Sequence, residues 1–90
     1  MPISTDELLK AREAARALLD ELGLSAYVFE VEPREDQWEL RVECAVDEGW
    51  QRSTFPVDKT LLLACMQDRR ARERLLADWD KHLVACRRGG

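Results

Sequence analysis

The chain has 90 residues, which is enough for one domain, and a domain of this size buries only about 60–65% of the surface that the unfolded chain exposes. Its composition is 46% hydrophobic and 36% charged with a net charge of −4, which excludes a disordered chain. The longest apolar run, residues 61–66, is far shorter than the roughly 20 residues that a bilayer requires. We therefore expect one domain over residues 1–88, followed by a tail at residues 89–90.

The first predicted helix is defined at both ends. Ser4 and Glu7 have the spacing of a capping box, so the helix is expected to begin at Thr5. Gly23 is expected to end it, because glycine adopts the left-handed conformation without a Cβ penalty. Apolar residues recur between these ends at intervals of three and four, which predicts one buried stripe: Leu8, Ala11, Ala15, Leu18 and Leu22.

Three strands are predicted next. Residues 26–32 alternate, with Tyr27, Phe29 and Val31 on the face expected to point to the core. Residues 38–46 alternate in the same way between apolar and mostly charged positions. The third strand follows a short connection and ends near residue 55. Short loops join all three strands, so the pattern indicates an antiparallel meander.

The turn before the third strand leaves two registers open. A three-residue loop over residues 47–49 places Gly49 in the left-handed position and pairs Val46 with Trp50. This register turns Trp50, Arg52 and Thr54 inward and Phe55 outward. A two-residue loop reverses the faces but requires a positive φ at Glu48. We favour the three-residue loop.

The last third of the chain is predicted to be helical. Asp58 is a suitable N-cap for a helix that begins at Lys59. Between residues 67 and 74 the only apolar residue is Ala71, so either one long helix crosses a polar segment or a break near residues 67–68 separates two helices. We favour the break, with Asp68 as the second N-cap, and expect residues 87–90 to fray.

The predicted fold class is α+β, in the order α-β-β-β-α(α), with a three-stranded antiparallel sheet covered on one face by helices. The other face is expected to be open and acidic, and to carry Gln51 and Ser53 among its polar residues. It is the candidate site for a protein partner, with Trp50 as an exposed aromatic anchor at its edge. The residues proposed for partner binding are Glu30, Glu32, Glu39, Glu43 and Trp50.

A basic cluster gives the alternative function. Residues 1–60 carry 14 acidic and 7 basic residues, whereas residues 61–90 carry 4 acidic and 7 basic ones. Nucleic-acid binding would use the arginines at the start of the last long helix, but acidic residues lie among them and no aromatic residues accompany them. The four arginines are Arg69, Arg70, Arg72 and Arg74.

The cysteines predict a reducing compartment. Their number is odd and each lies on or beside an apolar stripe, which favours buried thiols over disulfides; with no signal peptide visible, we expect a cytoplasmic protein. His82 and Cys86 share a helical face and could form a zinc site with Cys65 and Cys44, but the spacing matches no metal motif. We expect no metal or cofactor.

The element order resembles that of double-stranded RNA-binding domains. Those domains have a lysine-rich start to the last helix, where this chain has Lys59 alone, so the likeness is one of topology. The segments around Gly23 and residues 61–63 are also similar to the small acidic chaperones of bacterial secretion systems, which are longer. Neither resemblance assigns a role to a residue.

The sequence therefore predicts a small non-enzymatic module that acts through contacts with another protein as an adaptor, chaperone or inhibitor, and a basic protein is a candidate partner. No membrane partner is expected, a protein partner is favoured over nucleic acid, and a homodimer is left open.

Overall fold

The computed structural model describes residues 5–24, 26–35, 37–46 and 49–89, with the backbone alone for residues 87–89. It confirms the α+β class and the single antiparallel sheet with strand order β1-β2-β3. The elements are α1 (Thr5–Glu21), β1 (Tyr27–Glu32), β2 (Trp38–Val46), β3 (Gly49–Val57), α2 (Lys59–Ala64), α3 (Arg69–His82) and α4 (Val84–Gly89).

The end of α1 forms as the sequence predicts. Gly23 has a φ of 86° and its amide donates to the Asp20 carbonyl at 3.0 Å. The Leu24 amide donates to the Leu19 carbonyl at 3.5 Å, which completes a Schellman motif. The capping box predicted at Ser4 lies outside the described residues.

The predicted register of β3 is wrong. Val46 pairs with Gly49, Cys44 with Gln51 and Leu40 with Phe55, so two residues connect β2 and β3 instead of three. Gly49 supplies the unusual backbone conformation, with a φ of 130°, from the first position of β3. Asp47 and Glu48 lie outside the described residues.

Burial of two side chains accounts for the observed register. Phe55 and Val57 face the core and are each 2% exposed. Full burial of the two contributes about 3–6 kcal/mol. The predicted register avoided placing a residue other than glycine in a sparsely populated backbone region, which costs roughly 1–3 kcal/mol. This cost is smaller than the free energy gained by burying the two side chains.

All the helices pack on one face of the sheet. α1 contacts β1 and α2, while α4 contacts β2. Trp79 of α3 is fully buried and meets the Phe55 ring edge-on, with 5.9 Å between ring centroids. In the described part of the chain, no helix is long and apolar enough to cross a membrane.

The break between α2 and α3 is confirmed. Asp58 caps α2 by accepting a hydrogen bond from the Leu61 amide at 3.1 Å. Asp68 caps α3 by accepting from the Arg70 and Ala71 amides at 3.0 and 3.3 Å. α4 continues to Gly89, and Gly90 is not described. The fraying expected for residues 87–90 stays a prediction.

The prediction that all three cysteines are free thiols is also wrong. Cys44 of β2 and Cys86 of α4 form a disulfide, with Cα atoms 5.7 Å apart, and Cys65 remains as a buried thiol. α4 has only six residues, and the disulfide joins it covalently to the central strand. The argument from the cysteines for a reducing compartment therefore fails.

Candidate functional site

One face of the sheet is left open by the described helices. Side chains alternate between the two faces along each strand, and cross-strand partners lie on the same face, so the pairing identifies the residues of the open face. None of these residues is buried. We call this surface the open sheet face; it consists of Val28, Glu30 and Glu32 from β1, Glu39, Arg41, Glu43 and Ala45 from β2, and Trp50, Arg52, Thr54 and Pro56 from β3.

The five residues predicted for partner binding all lie on the open sheet face. The corrected register changes their neighbours. Gln51 and Ser53, predicted on this face, lie on the opposite side, where the Ser53 hydroxyl donates to the His82 carbonyl at 3.4 Å. Arg52 moves onto the open sheet face and brings a positive charge.

Ion pairs offset most of the expected acidity. Glu32 and Glu39 are directly opposite each other on adjacent strands, and the Arg34 guanidinium in the connecting loop contacts their carboxylates at 3.4 and 3.3 Å. Arg41 also contacts Glu32, at 3.5 Å. Arg52 contacts Glu43 at 3.5 Å. The face is therefore a set of alternating charges instead of a crowded acidic surface.

These ion pairs are exposed and weak. The side chains of Arg34 and Arg52 are 58% and 65% exposed. Surface pairs of this kind contribute about 0–1 kcal/mol each, because water and salt screen them. Each carboxylate can therefore exchange its arginine for a partner's cation at low cost.

Trp50 is the aromatic side chain of the open sheet face, which also exposes the smaller apolar side chain of Val28. It is 62% exposed and lies opposite Ala45, whose small side chain leaves the indole without a tall cross-strand neighbour. The other two tryptophans belong to the core, where Trp38 is 5% exposed and Trp79 is fully buried. An exposed indole at a sheet edge is suited to anchoring a protein partner.

The basic cluster on α3 is exposed and partly neutralised. Arg69 contacts Glu73 at 3.5 Å, and Arg72 forms an ion pair with Glu21 of α1. Arg70 and Arg74 are exposed and form no ion pair within the described residues. Two of the four predicted arginines thus serve contacts within the chain.

The residues considered for zinc do not assemble. The Cys44 and Cys86 sulfurs are bonded to each other, and Cys65 donates instead to the Leu62 carbonyl at 3.1 Å. The His82 ring stacks on Phe55, with 4.4 Å between centroids. Among the described residues, no group of three His, Cys, Asp or Glu side chains could hold a metal ion.

Among the residues that the structure describes, two ionisable groups have a raised pKa. Burial raises the pKa of Tyr27 to about 12, and its hydroxyl donates to the Asp20 carboxylate at 2.6 Å, which acts in the same direction. Burial also raises the pKa of the Cys65 thiol. A thiol of raised pKa is a poor nucleophile, so Cys65 is suited to packing and not to reaction.

Comparison with protein-family models, with curated proteins and with solved structures gives no match for this chain. Its function is therefore argued from its own geometry.

The sequence analysis missed two arginines that set the charge of the open sheet face. Arg34, in the loop beside the face, was given no role, and Arg52 was turned inward together with Thr54. The alternation of Phe55 and Val57 would have placed Arg52 on the open sheet face, because residues 52, 54 and 56 share the opposite side of the strand.

Proposed function

We propose that this chain is a non-enzymatic protein-binding module whose contact surface is the open sheet face. The observation that carries the proposal is the exposure of Trp50 on a sheet face that the described helices leave uncovered. Interfaces that bind proteins concentrate their energy in a few aromatic and arginine side chains, surrounded by polar residues. Trp50 and Arg52 supply such side chains, and the glutamates supply the polar surroundings.

The charges of the face suggest the chemistry of the partner. The strands contribute four glutamates and two arginines to the face, so the excess is acidic, although Arg34 reduces it. A partner with basic side chains placed to meet Glu30 and Glu43 gains from this excess. Recognition depends on matching the order of charges and not on net charge alone.

The test begins with affinity capture from the native host and identification of the captured protein by mass spectrometry. The affinity of that protein is then measured for Trp50→Ala and for the triple variant Glu32→Gln, Glu39→Gln, Glu43→Gln. Loss of an aromatic anchor costs about 2 kcal/mol, which is roughly a 30-fold loss of affinity. The triple variant should bind more weakly and remain folded.

Met66→Ala is the matched control, because Met66 is 61% exposed and lies between α2 and α3, outside the strands of the sheet. The proposal predicts full affinity for this variant. Unchanged affinity of Trp50→Ala, or an equal loss in Met66→Ala, contradicts it.

The compartment in which this binding occurs is a separate proposal. Disulfides persist in oxidising compartments, and the cytosol keeps thiols reduced. We infer that, if the protein is cytoplasmic as expected from its sequence, Cys44 and Cys86 are there adjacent thiols that bond only under oxidation. Alkylation in intact host cells followed by mass measurement distinguishes the two states.

A further inference from the structure

The outer edge of β1 has no strand partner in the part of the chain that the structure describes. The Ala45 amide donates to the Ala26 carbonyl at 2.9 Å, which sets the phase of the hydrogen-bond ladder. Because backbone direction alternates along an antiparallel strand, residues 28, 30 and 32 point their backbone groups towards β2. Tyr27, Phe29 and Val31 point their N–H and C=O groups outward.

A groove of about 590 Å³ lies beside this edge, between β1 and α1. Tyr27, Val28 and Phe29 form its strand wall. Its helix wall has Leu9 as the apolar residue, together with two basic and two acidic side chains: Arg12, Arg16, Glu13 and Asp20. Leu9 is 52% exposed, so an apolar side chain entering the groove would meet an apolar surface that water now covers.

The edge of β1 carries no lysine, proline or bulge, which are common ways to block a free edge. Its charged residues are Glu30 and Glu32, which repel an acidic strand but attract a basic one. A strand added here would send alternate side chains into the groove and onto the open sheet face.

Glu30 indicates the charge of the added strand. It is exposed and forms no ion pair within the described residues, because its cross-strand neighbour Arg41 contacts Glu32 instead. A basic side chain beside Glu30 would give an opposite-charge cross-strand pair.

A second copy of the chain fits this edge poorly. Two-fold pairing of β1 with itself keeps residues on the same face. Any such register that places Glu30 opposite another residue of β1 sets it against Val28, Glu30 or Glu32 of the other copy. The first pairing leaves the carboxylate against an apolar side chain, and the other two oppose like charges.

We propose that the β1 edge and its groove bind an extended segment of another protein in which apolar side chains alternate with basic ones. Backbone groups of Tyr27, Phe29 and Val31 supply the hydrogen bonds, the groove takes the apolar side chains, and Glu30 takes a basic one. This proposal rests on the proposed protein-binding function in one respect only, which is that the partner is a protein. It does not depend on Trp50, which lies on β3, the opposite edge strand.

The probe is a short synthetic peptide that alternates valine and lysine, titrated into isotope-labelled protein and followed by NMR. Its controls are the same peptide with glutamate for lysine, and a version N-methylated at alternate amides so that it cannot pair along an edge. We expect saturable shifts at β1 and along the groove side of α1, with slower amide exchange at Phe29 and Val31.

Glu30→Lys should weaken binding of the valine–lysine peptide by up to about five-fold, which is the upper size of a cross-strand charge pair. Asp78→Lys, an equal charge change at an exposed position of α3, and Trp50→Ala should both leave the affinity unchanged. Loss of affinity in Trp50→Ala, with shifts centred on β3, assigns the peptide to the open sheet face and overturns the edge proposal alone.

Other results also overturn it. These are the absence of shifts at β1, equal binding of either control peptide, an equal loss in Asp78→Lys, or a concentration-dependent dimer whose β1 amides are protected without peptide.

Discussion

The disulfide between Cys44 and Cys86 should be a major source of stability. The two residues are 42 apart in sequence, and closing a loop of that length in the unfolded chain contributes about 4 kcal/mol by the chain-entropy relation. A domain of 90 residues is stable by roughly 5–13 kcal/mol in total. Reduction should therefore remove a large fraction of the free energy of unfolding and leave a marginally stable domain.

Urea unfolding of the wild type with and without a thiol reductant measures this contribution. The midpoint should fall sharply on reduction, and the double variant Cys44→Ala, Cys86→Ala should unfold at a low midpoint that the reductant does not change. Cys65→Ala is the control: it opens a small cavity in the core, but its midpoint should keep the full response to reductant, because Cys65 is outside the bond.

Thiol counting tests the pairing itself. Without reductant, the denatured wild type should expose one reactive thiol per chain, and peptide mapping should assign it to Cys65. A loss on reduction below about 1 kcal/mol would show that the chain-entropy argument fails here. Three free thiols, or a bond to Cys65, would refute the pairing.

The remaining predictions concern α1, β1 and β3. Gly23→Val should lower the free energy of unfolding by about 1–2 kcal/mol in urea, because a β-branched residue resists the left-handed conformation at this position, and an unchanged midpoint would contradict the helix end. Tyr27 is the single tyrosine, so ultraviolet titration reports its ionisation alone. Its pKa is raised from 10.0 to about 12, so the folded state holds the proton more tightly than the unfolded state does. The free energy of unfolding should therefore fall as pH rises from 10.0 towards 12, and Asp20→Asn should reduce this pH dependence. Trp50→Phe should abolish most of the fluorescence that aqueous quenchers reach, whereas quenching that persists would place the indole inside.

Local signals made most of the fold predictable. The stop at Gly23 and the N-caps at Asp58 and Asp68 depend on residues within a few positions, and each is found where the sequence predicts it. β2 was predicted with its observed bounds because its apolar alternation extends over all nine residues. Such features need no knowledge of the rest of the chain.

The register of β3 was not predictable from its own residues with the same certainty. Of its core-facing positions only Phe55 and Val57 are apolar, since Gly49, Gln51 and Ser53 occupy the others. The turn preference therefore competed with a short apolar signal. The free energy gained by burying these two side chains is larger than the cost of an unfavourable turn conformation. Burial should therefore be weighed before turn type when a register is predicted.

The disulfide could not be inferred from spacing, because β2 and α4 become neighbours only when the whole chain folds. Three cysteines are compatible with one disulfide and one free thiol, so the odd number was not evidence against a disulfide. The bond also ties α4 covalently to β2, and a helix of six residues is too short to be stable alone.

A shift of one residue in β3 decides the chemistry of the candidate site. In the predicted register the open sheet face would present four glutamates against Arg41 alone, and a basic protein would be attracted by net charge. In the observed register Arg52 joins the face beside Glu43, and Arg34 bridges Glu32 and Glu39. Glu30 remains the carboxylate on this face without an ion pair among the described residues, and it lies on the strand whose edge is free. The unpaired charge and the unpaired backbone therefore coincide at β1, while the exposed aromatic lies at β3, so the two edges of one small sheet offer a partner different kinds of contact.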